Sequence, residues 1–164
     1  PLREGDLVSI DIGVRRNGYI GDSGWTYPVG KADPAAARLL RVGEEALLVG
    51  LRAMTPKGVL GDVCQAIQMH VERNGFSVVR DFVGHGVGQS LHEEPQVPNY
   101  VDDNIRQTLF NTLLKPGMVL AVEPMVNEGT SEVVFEEHSW PVCTAALDAS
   151  SEDLAEASFW SWRL

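Results

Sequence analysis

Cysteine is scarce in this sequence: only two occur in 164 residues, Cys64 and Cys143, far apart and outside any CxxC spacing. That argues against a disulfide framework and against a thiolate metal cluster, and it fits a reducing, cytoplasmic setting. Long apolar runs are missing too. No stretch reaches membrane-spanning length, and the N-terminus lacks the basic, then apolar, then small-residue order of a signal peptide. Positive charge is short as well: 13 lysines and arginines stand against 23 acids, for a formal net charge of −10 and a pI of about 4.7. Nucleic acid and anionic membrane surfaces are therefore poor partners, whereas cations and amine-bearing ligands suit the chain. No internal repeat or low-complexity linker interrupts it. The apolar fraction of 44% is ordinary and provides for one domain with a real core. The chain opens on Pro1 rather than methionine and enters a strand pattern almost at once, which predicts further sequence upstream.

LVSIDIGV, residues 7 to 14, alternates with period two and predicts a half-buried strand, with Val8, Ile10, Ile12 and Val14 on one face and Ser9, Asp11 and Gly13 on the other. Asn17-Gly18 favours a two-residue type I′ turn, and Tyr19 to Val29 reads as the returning strand. Asp33-Pro34 suits an N-cap followed by proline in the first helical position, opening a helix that ends before Pro56. Leu60, Val63, Ile67 and Val71 mark a second helix, closed at Asn74-Gly75. Phe76 to Val83 and Met118 to Val126 read as strands, with weaker strand signals at 133–135 and 140–144. Gly84 to Tyr100, GHGVGQSLHEEPQVPNY, looks too irregular for helix or strand. Residues 145–164 have no strand period.

The acids fall in unusual places. If Asn17 and Gly18 form the turn, Gly13 pairs with Asp22, and Asp11 lies two residues away on the same face, so the two aspartates are diagonal neighbours. A single aspartate there would ordinarily face solvent. Glu123, however, interrupts an apolar strand, and a lone buried carboxylate costs several kcal/mol unless a partner offsets it. His85, between glycines that allow close backbone approach, adds an imidazole nitrogen. Three carboxylates and one imidazole suit Mn, Co, Fe or Zn better than a structural zinc cluster.

GDLVSIDIGVRRNGYIGDS, GFSVVRDFVGHGVGQSLHEEPQVPNY and LKPGMVLAVEPMVNEG, in that order, resemble the type I methionine aminopeptidases of the pita-bread metallopeptidase family. The resemblance covers most of the chain. It implies an α/β (α+β) fold with a curved, mainly antiparallel sheet, helices on its outer face and the acids on its inner face. It also implies a pair of divalent metal ions, with Asp11, Asp22, His85 and Glu123 matching four of the family's five ligands. His92 matches a histidine that contacts the scissile peptide, and Leu91 and Trp140 match walls of the methionine pocket. Glu93 and Glu94 are left a supporting role in the turn. The implied substrate is the N-terminus of a peptide or nascent protein, and the implied reaction is hydrolytic release of methionine.

Two departures bear on activity. The family's N-terminal segment has no counterpart here, and where the family carries its metal-bridging glutamate this chain has SSEDLAEASFWSWRL. Glu152 and Glu156 are available there without the expected neighbours. Without the fifth ligand at most one ion should be held well, with low or no activity of this chain alone, and the missing N-terminal segment and altered tail predict a partial or frame-shifted reading frame. The expected organisation is a partial metallopeptidase domain over 1–144 and an atypical tail over 145–164. Alternatives are an aminopeptidase that removes a residue before proline, and a non-catalytic peptide-binding module.

Overall fold

The computed structural model describes residues 1–135, together with short strands at 142–144, 158–159 and 162–163. The turn at residues 17 and 18 forms as its chemistry requires. Asn17 (φ 52°) and Gly18 (φ 84°) both take the left-handed conformation, which matches the twist of flanking strands β1 (Leu7–Arg16) and β2 (Tyr19–Pro28). The ladder pairs Gly13 with Asp22, the register expected from the turn.

One expectation for this hairpin fails. Ile10, Ile12 and Val14 are 46, 51 and 55% exposed, and the strand expected to be half-buried is open on both faces from Ser9 onward. Period-two patterning marks a face able to be buried, but it does not supply the layer that buries it.

Helix α1 (Pro34–Ala53) starts where Asp33 Oδ1 accepts from the backbone N–H groups of Ala35 and Ala36, at 2.7 and 2.9 Å. This satisfies two of the donors that a helix start leaves unpaired. Helix α2 (Leu60–Arg73) buries Leu60, Val63, Ile67 and Val71 completely, each worth about 1.5–3 kcal/mol of transfer free energy. The two helices touch at Gly50, where a Cβ would come within 2.7 Å of the Ile67 side chain. Gly75, at φ 77°, ends α2 as expected.

Every strand pair among the described residues is antiparallel. The sheet is not continuous, however. Besides the β1–β2 hairpin, a three-stranded sheet has the order β10 (Ser158–Phe159), β7 (Met125–Asn127), β3 (Ser77–Val78). A four-stranded sheet runs β11 (Trp162–Arg163), β6 (Leu120–Val122), β4 (Gly84–Gly86), β5 (Glu93–Val97), and β8 (Val133–Phe135) pairs with β9 (Val142–Thr144). A short helix α3 (Arg106–Asn111) follows β5. Leu39, Val42 and Leu47 of α1 and the apolar stripe of α2 share one core with Val78, Val97, Leu120, Val122 and Val126 of the strands.

Several predicted elements are therefore revised. The stretch from Phe76 to Val83 contributes only a two-residue strand. The irregular segment from Gly84 contains two paired strands, β4 and β5. The apolar run from Met118 to Val126 is split at Glu123-Pro124, because proline has no N–H to give a ladder. Within 145–164 the backbone forms β10 and β11, strands of two residues each, which are too short to carry a period.

Candidate metal centre

His85 occupies the centre of β4, between β5 and β6. Its flanking glycines are what permit that crowding. A Cβ on Gly84 would lie 2.2 Å from the Ala121 carbonyl oxygen, and one on Gly86 would lie 2.3 Å from that of Glu94. The imidazole Nδ1 is 2.8 Å from the Gly86 carbonyl oxygen. A carbonyl only accepts, so Nδ1 carries a proton and donates, and Nε2 is the nitrogen left to present a lone pair to a metal.

That nitrogen faces two acids. His85 Nε2 lies 3.4 Å from Asp22 Oδ2 and 3.4 Å from Glu123 Oε1. Three acceptors thus converge, and only a proton or a cation can reconcile them. The site is largely withdrawn from solvent, with Glu123 9% exposed. Burial pushes the Glu123 carboxyl up to about 8, reinforced by the negative charges of Asp22 and Asp11. Asp11 stands beside this group on the hairpin and is more open to solvent. Its carboxyl is raised by burial and by Asp22, against smaller opposing effects of the Ile12 backbone and His85.

Among the described residues no set of three or more His, Cys, Asp and Glu forms a ready-made coordination cage. The fit to a metal rests on the donor set itself. Oxygen-rich ligands with one correctly presented imidazole nitrogen, and carboxylates that resist ionisation in the absence of positive charge, match a divalent transition ion.

His92 approaches from the loop between β4 and β5, its ring 4.3 Å from that of His85 and inclined at 70°. The loop is docked on the hairpin at three points. Ile20 N–H donates to the Gly88 carbonyl at 2.7 Å, Arg15 donates to the Gln89 carbonyl at 3.2 Å, and Leu91 packs over Gly13. Glu93 turns back into the loop, where its Oε1 accepts from Ser90 N–H at 2.8 Å, the supporting place expected of it. Trp140, Glu152 and Glu156 lie outside the described residues. A cavity of about 320 Å³ between the end of α1 and residues 114–118 is lined by none of these site residues.

The sequence reading passed over Asn99. It is 1% exposed, and its Nδ2 donates to the Glu123 carbonyl at 2.8 Å. A polar residue between Val97-Pro98 and Tyr100-Val101 carries the same signal that singled out Glu123.

Antiparallel sheets backed by two helices bring two acids and a histidine together, a donor set of the kind a metallopeptidase uses. Residues 1–142 match the model of metallopeptidase family M24, and the chain belongs to that family. It is 51% identical over 143 residues to methionine aminopeptidase 1 of Bacillus subtilis, covering 87% of this chain and 56% of that protein. The methionine aminopeptidase of Thermotoga maritima superposes with a TM-score of 0.83 at 40% identity, over 98% of this chain and 60% of that one. The prolidase of Pyrococcus furiosus superposes less well, with a TM-score of 0.63 at 28% identity over 76% of this chain and 35% of that one. The fold is the pita-bread fold expected from the sequence. The chain spans about half the length of the curated relatives it matches.

Proposed function

We propose that this chain carries the metal-binding part of a metal-dependent aminopeptidase that releases N-terminal methionine from peptides and nascent proteins. The observation behind this reading is the convergence of His85 Nε2 on Asp22 and Glu123, with the His92 ring alongside. Asp11, Asp22, His85 and Glu123 would hold divalent metal, Co, Mn, Fe or Zn, with one ion held well by these four. A divalent ion there supplies a Lewis acid for the first peptide carbonyl and acidifies water. His92 would donate a hydrogen bond to the scissile peptide as its carbonyl oxygen gains charge. Leu91, partly exposed beside the hairpin, would contact the methionine side chain, with Trp140 as a second wall.

Residues 1–144 are the metallopeptidase body in this reading, supported by the family match that ends at residue 142. Residues 145–164 form the tail that adds β10 and β11. No helix among the described residues is long and apolar enough to cross a membrane, and Cys64 is a free, buried thiol. A cytoplasmic setting accommodates both. Release of methionine is favoured over cleavage before proline by the higher identity and TM-score of the methionine aminopeptidases.

The test is a calorimetric Mn²⁺ titration of the metal-stripped chain, followed by assays on Met-Ala and Ala-Pro peptides. One tight site and weak methionine release that disappears in His85→Ala is the expected result. Binding without turnover of either peptide would support the peptide-binding module instead. Preferential turnover of Ala-Pro would support the prolidase-like alternative.

A further inference from the structure

The chain leaves the four-stranded sheet and enters the three-stranded one at Glu123-Pro124. Such a step removes backbone groups from their ladders, and the proline offers no N–H to restore one. The Glu123 carbonyl is satisfied from outside either sheet, by Asn99 Nδ2 at 2.8 Å. Asn99 follows β5 by two residues, and Val97 of β5 pairs with Gly84, the neighbour of His85. A single buried amide therefore ties the segment next to His85 to the backbone of Glu123.

The orientation of that amide is determined. Exchanging its oxygen and nitrogen would set Asn99 Oδ1 against the Glu123 carbonyl, acceptor on acceptor. In the orientation present, Oδ1 has no hydrogen-bond partner among the described residues, and an unmade bond at a buried amide opposes folding. A leucine of similar size would avoid that cost but would lose the donor. The donor is thus what distinguishes asparagine at this place.

We propose that Asn99 is a positioning residue for the candidate metal centre. By holding the Glu123 carbonyl it fixes the peptide plane at the step between sheets, and so aims the Glu123 carboxylate at His85 and Asp22. The proposal rests on reading that cluster as a metal centre.

The test is a Co²⁺ titration of the full chain, read by calorimetry and by the visible absorption of bound Co²⁺, on the wild type and four variants. Asn99→Leu and Asn99→Asp, which lack the donor, are expected to weaken Co²⁺ binding about tenfold or more and to alter the absorption bands. Asn99→His, which places an N–H at the same distance along the side chain, should bind within about threefold of wild type. Asn127→Leu is the structural control. Asn127 is fully buried and its Oδ1 is likewise without a partner among the described residues, but among those residues its Nδ2 bonds only the Thr130 and Glu132 carbonyls. Its loss should lower the melting temperature and leave Co²⁺ affinity and spectrum unchanged.

Wild-type affinity and spectrum in a folded Asn99→Leu or Asn99→Asp would overturn the proposal while leaving the metal centre intact. So would a folded Asn99→His that binds no better than Asn99→Leu, which keeps the question open to refutation even if the leucine variant does not fold. A wild type that binds no Co²⁺ would sink the metal-centre reading, and this inference with it.

Discussion

Gly13 stands directly opposite Asp22 in the β1–β2 ladder, and Leu91 Cδ1 lies 3.8 Å from the point that a Gly13 Cβ would occupy. Hairpin pairing and loop docking thus meet at one residue without a side chain. A methyl group there makes only ordinary contact, so Gly13→Ala should change stability by less than about 1 kcal/mol. Gly13→Phe should displace Leu91 and, on the proposed reading, reduce methionine release roughly tenfold or more, with little change in metal affinity. Steady-state kinetics beside a metal titration checks this. Unaltered kinetics in Gly13→Phe would remove Leu91 from the proposed substrate wall.

Burial and two neighbouring aspartates oppose a charge on Glu123. Glu123→Gln keeps the shape and removes the charge. The metal-free variant should be more stable than wild type at pH 8, by roughly 1–3 kcal/mol, and its metal affinity should fall about 100-fold. Thermal melts with and without Mn²⁺ separate the two effects. The ion should raise the melting temperature of the wild type and leave that of the variant in place.

The same carboxyl sets a pH dependence whose sign is unusual for an acid. Below its ordinary value of 4.5, it is protonated in the folded and unfolded chain alike and contributes nothing. Between 4.5 and about 8, the folded chain keeps a proton that the unfolded chain has released, so stability falls as pH rises. Asp11, also raised, acts in the same direction. Metal-free protein should therefore lose on the order of a few kcal/mol from pH 5 to pH 8. Added divalent metal should bind more tightly over this interval, as protons leave the ligands, and offset the loss. A pH series of melts on wild type and Glu123→Gln isolates the contribution. Identical slopes for the two would refute it.

Gly84→Ala forces a methyl group to within 2.2 Å of the Ala121 carbonyl oxygen, a contact with backbone that cannot rotate away. It should cost more than about 2 kcal/mol and separate β4 from β6. Asp33→Ala removes the α1 cap and should cost about 1 kcal/mol without touching metal affinity. Denaturant titrations paired with calorimetry should show metal binding weakened by the first substitution and unaffected by the second.

The elements legible in the sequence are those whose signals are local. Asp33-Pro34 and Asn74-Gly75 delimit the two helices because capping is decided within a few residues, and Asn17-Gly18 sets the hairpin register for the same reason. That register alone placed Asp11 and Asp22 on one face. Glu123 stood out as a charge within an apolar run. The sequence did not show that this run breaks at Pro124 between two sheets, since which sheet a strand joins depends on partners far along the chain. Asn99 went unnoticed because its role is a bond to the backbone of a residue 24 positions away. That β1 is open on both faces rather than half-buried was not legible, because alternation says nothing about what packs opposite.

Asp22 belongs to the two-stranded hairpin, His85 to the four-stranded sheet, and Glu123 to the junction between that sheet and the next. The donors are therefore distributed over structural units that share few backbone hydrogen bonds, among them the one from Ile20 to Gly88. An ion at their meeting point acts as a cross-link as well as a Lewis acid. Its occupancy couples the hairpin to the body of the protein, and amide hydrogen exchange in β1 and β2 should slow as the site fills.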